Sequence, residues 1–311
     1  MVNSLECVFD IEKAFIFGVG GGGDVVSCIP TARLLELHGV DTVVGGLSWE
    51  RVPHDDRVGP RELSEVEPLD RVNETVGYVE EDTVTADGLE FTETRVKQHC
   101  GDARQVALLD ITRGDIGLSE GFADFVEKEG FDLVVGIDAG GDVLAEGNEA
   151  GLESPLADGI CLSSLCDLEV DTLLGVLGMG SDGELRQQEI TYGVSRAAKR
   201  DGFVGAWGLT PETVKEMRGL LETVGTTEAS KLPVDAAKGR FGKVEIRDGD
   251  RYVEMTPASV VTFYFDPVEV SATSRVVDLV RGSYSINEAD SKLKDQGYVT
   301  EFEVEKRNLD G

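Results

Sequence analysis

Lys13-Ala14-Phe15-Ile16-Phe17-Gly18-Val19-Gly20-Gly21-Gly22-Gly23-Asp24 is an apolar run that stops abruptly in glycines. A strand buried on both faces of a parallel sheet reads this way, because neither face needs polar residues. A helical stretch follows to about Gly39, with Pro30 placed to kink or restart it. The alternation continues with strands at 41–46, 106–111, 131–137 and 172–177 and helices at 119–129, 155–168 and 183–200. Strands separated by helices of this length need right-handed crossovers. The expected fold class is α/β, a mostly parallel sheet with helices on both faces, Rossmann-like in three layers, with a small α+β C-terminal extension.

Other segments break the rhythm. Residues 52–72 carry Pro53, Pro60 and Pro68 among many charges and read as a long loop. Residues 73–97 alternate and hold Asp87-Gly88, which predicts a β-hairpin. Thr210-Pro211 opens another helix. Past residue 240, strand-like 243–246 and 251–255 flank an Asp248-Gly249 turn, 260–265 is strand-like, two helical pieces follow, and 298–304 reads as a last strand. Residues 1–240 are therefore expected to form the ligand-binding α/β unit. Residues 241–311 form a smaller element packed on it or continuous with it.

The charge balance bounds the partners. Sixty Asp and Glu face 29 Lys and Arg, a net charge of −31, and only 11 of the basic residues are Lys. Such a surface repels phosphate backbones and anionic membranes, so neither nucleic acid nor membrane is an expected partner. It also repels itself, which concentrated salt screens; adaptation to a salty cytoplasm accounts for it. The five cysteines (Cys7, Cys28, Cys100, Cys161, Cys166) include no C-x-x-C pair, so neither a disulfide framework nor a zinc site is expected. No basic-then-apolar leader and no membrane-length apolar run is present, which gives a cytoplasmic expectation.

The chemistry sits in a recurring loop. Gly18 to Asp24 and Gly136 to Asp142 share the pattern G-φ-x-x-G-G-D directly after an apolar strand, and Gly175 to Asp182 is a looser third version. In an open α/β sheet such loops converge where ligands bind, at the carboxyl ends of the strands. The backbone N–H groups of Gly20, Gly21, Gly22, Gly23, Gly140 and Gly141 are candidates to hold an anion. Asp24, Asp142 and Asp182 fit two readings, helix caps or ligands of Mg²⁺. Asp138, at the strand end itself, has no capping role to play and joins them as a candidate Mg²⁺ ligand. Asn148, Glu149 and Asp158 follow the second loop, and Trp49-Glu50-Arg51 follow the second strand. Trp49 either stacks on a ligand or packs on its own loop. Arg51 is placed to meet a phosphate, Asn148 and Glu149 to bind hydroxyls or a metal-bound water, and Asp158 to contact the ligand. Asp138, Asp142, Glu50 and Glu149 are the candidate catalytic carboxylates.

Rival sites fail on their own terms. Gly18, Gly20 and Gly23 satisfy G-x-G-x-x-G, but Gly45-Gly46-Leu47 stands where a dinucleotide fold wants an acidic residue. Gly117-Leu118-Ser119-Glu120-Gly121 matches a serine-hydrolase pattern, yet His38, His54 and His99 all precede it and that chain order requires a later His. Ser119 reads instead as a helix cap.

At these residues the sequence resembles the largely archaeal domain-of-unknown-function family 1152. The resemblance rests on Gly20 to Ser27, Trp49-Glu50-Arg51, Ile137 to Leu144, Gly147-Asn148-Glu149 with Ser154 to Asp158, and Gly178 to Leu185, and spans about 13–300. With the acidic surface, it implies a halophilic archaeal member. It implies no activity. The residues point to a metabolic enzyme binding a phosphorylated or nucleotide-like small molecule, with Mg²⁺ as cofactor. A non-catalytic nucleotide or metabolite sensor is the alternative, and a homo-oligomer is compatible with both.

Overall fold

β1 (Lys13–Gly18) lies at the centre of a nine-stranded sheet. Alternate side chains feed two separate cores: Phe15 and Phe17 face one, Ala14 and Ile16 the other. The computed structural model that gives this arrangement describes residues 4–52, 54–225, 227–246, 249 and 251–310.

The chain passes from β1 through α1 (Asp24–Ser27) and α2 (Ile29–Leu37) to β2 (Asp41–Leu47). Pro30 restarts the helix at the beginning of α2, as its missing N–H and fixed φ dictate. β3 (Val66–Arg71), β4 (Val76–Thr85), α3 (Thr92–Cys100) and β5 (Gln105–Leu109) complete one wing. α4 (Gly114–Glu129) then crosses to β6 (Leu133–Ala139), and α5 (Pro155–Cys166) leads to β7 (Asp171–Leu177). α6 (Gln187–Ala198), β8 (Phe203–Gly208), α7 (Pro211–Val224) and α8 (Glu228–Ala236) follow. A separate hairpin, β9 (Gly242–Ile246) with β10 (Arg251–Met255), precedes β11 (Val261–Phe265). The chain ends in α9 (Pro267–Ser271), α10 (Arg275–Val280), α11 (Ile286–Asp295) and α12 (Glu301–Asp310).

The strand order is β3-β4-β5-β2-β1-β6-β7-β11-β8. β5, β2, β1, β6 and β7 run parallel, whereas β4 is antiparallel to β5 and β11 to β7. α1, α2, α3, α7 and α8 supply one core, with Val25, Ile29, Val96, Met217 and Val234. α4, α5, α6 and α9 to α12 supply the other. This is the expected helix–sheet–helix arrangement. Because β2 lies on one side of β1 and β6 on the other, the order reverses between β1 and β6. No helix among the described residues is long and apolar enough to cross a membrane.

Five local expectations are corrected. The hairpin is β3–β4, at 66–85, so its turn precedes Val76, and Asp87-Gly88 comes after it. β3 was hidden in the expected loop because it is a mostly exposed edge strand, where Pro68 is tolerated. The helix expected from 183 begins at Gln187, since Gly183 takes φ +78. Ser119 lies inside α4, not at its cap, and donates to Asp167. The strand expected at 298–304 is instead the start of α12, which turns Glu301, Phe302 and Glu305 inward at helical spacing. The Asp248-Gly249 turn involves positions outside the described residues. β11 pairs with both β7 and β8, so the segment past residue 240 contributes a strand to the main sheet.

Candidate functional site

The loops after β1, β6 and β7 meet at the carboxyl ends of neighbouring strands, beside the reversal of strand order. Such a crevice is the usual ligand position in an open α/β sheet. Four of the six candidate glycine N–H groups are engaged within the chain. Gly20 N–H donates to Asp24 Oδ2 at 3.0 Å, Gly22 N–H to the Trp49 carbonyl at 2.8 Å, and Gly140 N–H to the Leu177 carbonyl at 2.9 Å. Gly141 N–H is turned to Asp138. Instead, the absent side chains make room for carboxylates. A Cβ on Gly20 would lie 2.7 Å from Asp24 Oδ2 and 3.3 Å from Asp158 Oδ1, and one on Gly140 only 2.4 Å from Asp182 Cγ.

Those carboxylates form the site. Asp138 is the penultimate residue of β6, Asp142 follows the second glycine pair, and Asp158 faces inward from the first turn of α5; all three are buried. Their oxygens lie within 4.8 Å of one another, and Asp142 belongs equally to a second group with Asp182 and Glu184. Asp138 is only 2% exposed, and its Oδ2 has no hydrogen-bond partner among the described residues. Ser154 Oγ bridges Asp142 Oδ2 at 2.9 Å and Glu184 Oε1 at 2.6 Å, while Glu184 Oε2 accepts the N–H groups of Glu153 and Ser154.

Burial is the first cause that lifts the acids, and mutual repulsion adds to it. Asp138, Asp142 and Asp158 are all held well above the ordinary carboxyl range. Asp24 is half-buried as a residue, but its carboxyl is enclosed and pushed up to about 7, with the Gly20 N–H and Arg51 pulling the other way. Without a cation, protons must neutralise much of this cluster at neutral pH.

None of the three aspartates is a helix cap. Gly23 and Gly141 occupy the cap positions before Asp24 and Asp142, and α6 is capped by Arg186. Asp142 and Asp182 fall in the possible cation groups; Asp24 lies beside them and in neither.

The remaining expected residues have structural occupations. Trp49 is fully buried, edge-on to Phe302 with centroids 5.5 Å apart, and donates its indole N–H to Glu305 at 2.9 Å. It packs and does not stack on a ligand. The Arg51 guanidinium lies 4.1 Å from the Trp49 ring, donates to the Gly20 carbonyl, and sits 3.3 Å from Glu305 and 3.8 Å from Glu301. Glu149 accepts the N–H groups of Glu146, Gly147 and Asn148, so it holds its own loop and is not poised as a base; Asn148 is exposed. Glu50 accepts the Thr92 N–H beneath the second strand, next to the buried Glu93.

Sequence reading missed Glu184, Ser154 as a linker, and the acids of α12. Glu301 accepts the N–H groups of Leu156 and Ala157 at 3.0 and 2.8 Å, satisfying the first turn of α5 beside the cluster. The i,i+4 spacing of Glu301 and Glu305 was the available signal, obscured by the strand assignment. A narrow crevice, partly open to solvent, reaches Asp142 and Asp158 between Val143, Leu152, Leu162 and Val276.

The family model described as "Protein of unknown function (DUF1152)" matches residues 15–309. A comparison with curated proteins found no match.

Proposed function

The chain belongs to the DUF1152 family, and we propose that it is a Mg²⁺-dependent enzyme acting on a phosphate-bearing small molecule. One observation carries this reading: the unpartnered Oδ2 of buried Asp138, among carboxylates that share a space fit for an ion. A buried polar atom without a partner is costly, and three crowded carboxylates cannot all ionise unaided. Asp138, Asp142 and Asp158 would hold the cation, which takes carboxylate oxygens while keeping positions for water and phosphate oxygens. When bound, it would supply charge neutralisation for phosphoryl transfer or hydrolysis.

The chain's own groups define the rest. The engaged N–H groups of Gly20, Gly22 and Gly140 make the cation the more suitable phosphate anchor. Asp24 titrates near enough to neutral pH for its carboxyl, whose Oδ2 accepts the Gly20 N–H, to hold or release a proton. Val143, Leu152, Leu162 and Val276 offer apolar contact to the remainder of the substrate. We read the charge of −31 as adaptation to the salty cytoplasm of an archaeal host.

The test is a thermal-shift screen of sugar phosphates and nucleotides in molar KCl, with and without Mg²⁺. Ligand at a hundredfold excess over Kd should add about 2.7 kcal/mol, only with Mg²⁺ and not in Asp142→Asn. Turnover of the hit separates an enzyme from a sensor that returns it intact. A folded protein indifferent to both cation and phosphate compounds would sink the reading.

A further inference from the structure

Resting on the cation reading above, we propose that the site holds two divalent cations bridged by Asp142, the second held by Asp182 and Glu184, and that the pair receives a phosphate ester or anhydride. Two groups of three carboxylates share one residue, and each keeps its ligand oxygens within 4.8 Å. That overlap suits a pair of ions roughly 3.5–4 Å apart, the spacing of two-metal phosphate chemistry. The buried, unpartnered Oδ2 of Asp138 marks the cluster as lacking a counter-charge.

The surroundings of the second position are built to orient it. Glu184 is fixed by two backbone N–H groups, and Ser154 ties it to Asp142. Supporting hydrogen bonds of this kind hold ligands in place around metals. Gly140, with no Cβ, lets Asp182 lie against the second loop.

Charge favours the pair where metal displaces the protons of the cluster. Asp138, Asp142, Asp158, Asp182 and Glu184 carry five negative charges when ionised. One divalent ion leaves three for protons to offset; two leave one. Arg51 does not make up the difference, since Glu305 and the Gly20 carbonyl engage its guanidinium.

The experiment uses the full chain, stripped of metal and titrated with Mn²⁺, read by calorimetry and electron paramagnetic resonance. Two Mn²⁺ per chain with an exchange-coupled spectrum are expected. Glu184→Gln and Asp182→Asn should each reduce this to one uncoupled ion. Inorganic phosphate should bind the wild-type Mn²⁺ form at least tenfold more tightly than either variant. One uncoupled ion in the wild type would overturn the pair while sparing the single-cation reading, and no bound ion would overturn both. The wild-type stoichiometry decides even if a variant fails to fold. Equal phosphate affinity in wild type and folded variants would overturn the substrate class.

Discussion

Glu305 accepts the indole N–H of Trp49 at 2.9 Å, a bond between residues 256 positions apart that fastens the last helix onto the loop after β2. The same carboxylate accepts the Gly59 N–H at 2.8 Å and meets Arg51 at 3.3 Å. Glu305→Ala strands the buried Trp49 and Gly59 donors and takes one of several partners from Arg51. A loss of about 3 kcal/mol is expected in urea unfolding. A loss under about 0.5 kcal/mol, the range of ordinary surface changes, would show that α12 is not fastened there.

Glu301 gives the protein a pH dependence of definite sign. Burial pushes its carboxyl from 4.5 up to about 7, against the pull of Arg51 and of the Ala157 and Leu156 N–H groups, while Asp158 faces it across the site. A carboxyl raised on folding stabilises fully below the unfolded value and loses that contribution as pH rises through the folded one. The metal-free protein should therefore weaken between about pH 4.5 and 7, by on the order of 3 kcal/mol from this group. In Glu301→Gln that part of the slope should vanish, as paired urea titrations at pH 5 and 8 would reveal.

Asp138→Asn should separate stability from binding. It removes an acid from a crowded, desolvated cluster, so the metal-free melting temperature should hold or rise, by about 1 kcal/mol equivalent. The stabilisation that Mg²⁺ gives the wild type should disappear. A fall in metal-free stability with the Mg²⁺ response intact would assign Asp138 a packing role.

Gly140→Ala tests whether the glycine makes room for Asp182. Gly140 has φ +137 and its Cβ would lie 2.4 Å from Asp182 Cγ, whereas Gly39 has φ +84 and nothing within 4 Å. Gly39→Ala should cost only backbone strain, about 1 kcal/mol. Gly140→Ala should cost more and weaken Mn²⁺ binding; equal costs and unchanged binding would refute the close approach.

With a net charge of −31, stability should climb between 0.15 and 2 M KCl as the screening length falls from about 8 Å to under 3 Å. A melting temperature flat across that range would remove salt adaptation as the account of the surface.

The sheet was legible because it depends on local pattern: Phe15 to Phe17 must be buried on both faces whatever lies elsewhere, and Pro30 must restart a helix. The clustering of Asp138, Asp142 and Asp182 was also legible, since each follows a strand whose end faces the same edge. What the glycines do there was not. Their N–H groups looked free to receive an anion, and only the packed chain turns Gly20 to Asp24 and Gly140 to Leu177.

By itself the sequence determined the alternation of strand and helix, the acidic surface, and the edge of the sheet where chemistry is concentrated. Tertiary structure decided which acids share one space, drawing in Glu184 and Asp158 and setting α12 beside them with Glu301 and Glu305. The physical reason is range. Apolar periodicity acts over a few residues and is written locally, whereas the proximity of residues 51, 158 and 301 arises only when separate layers pack.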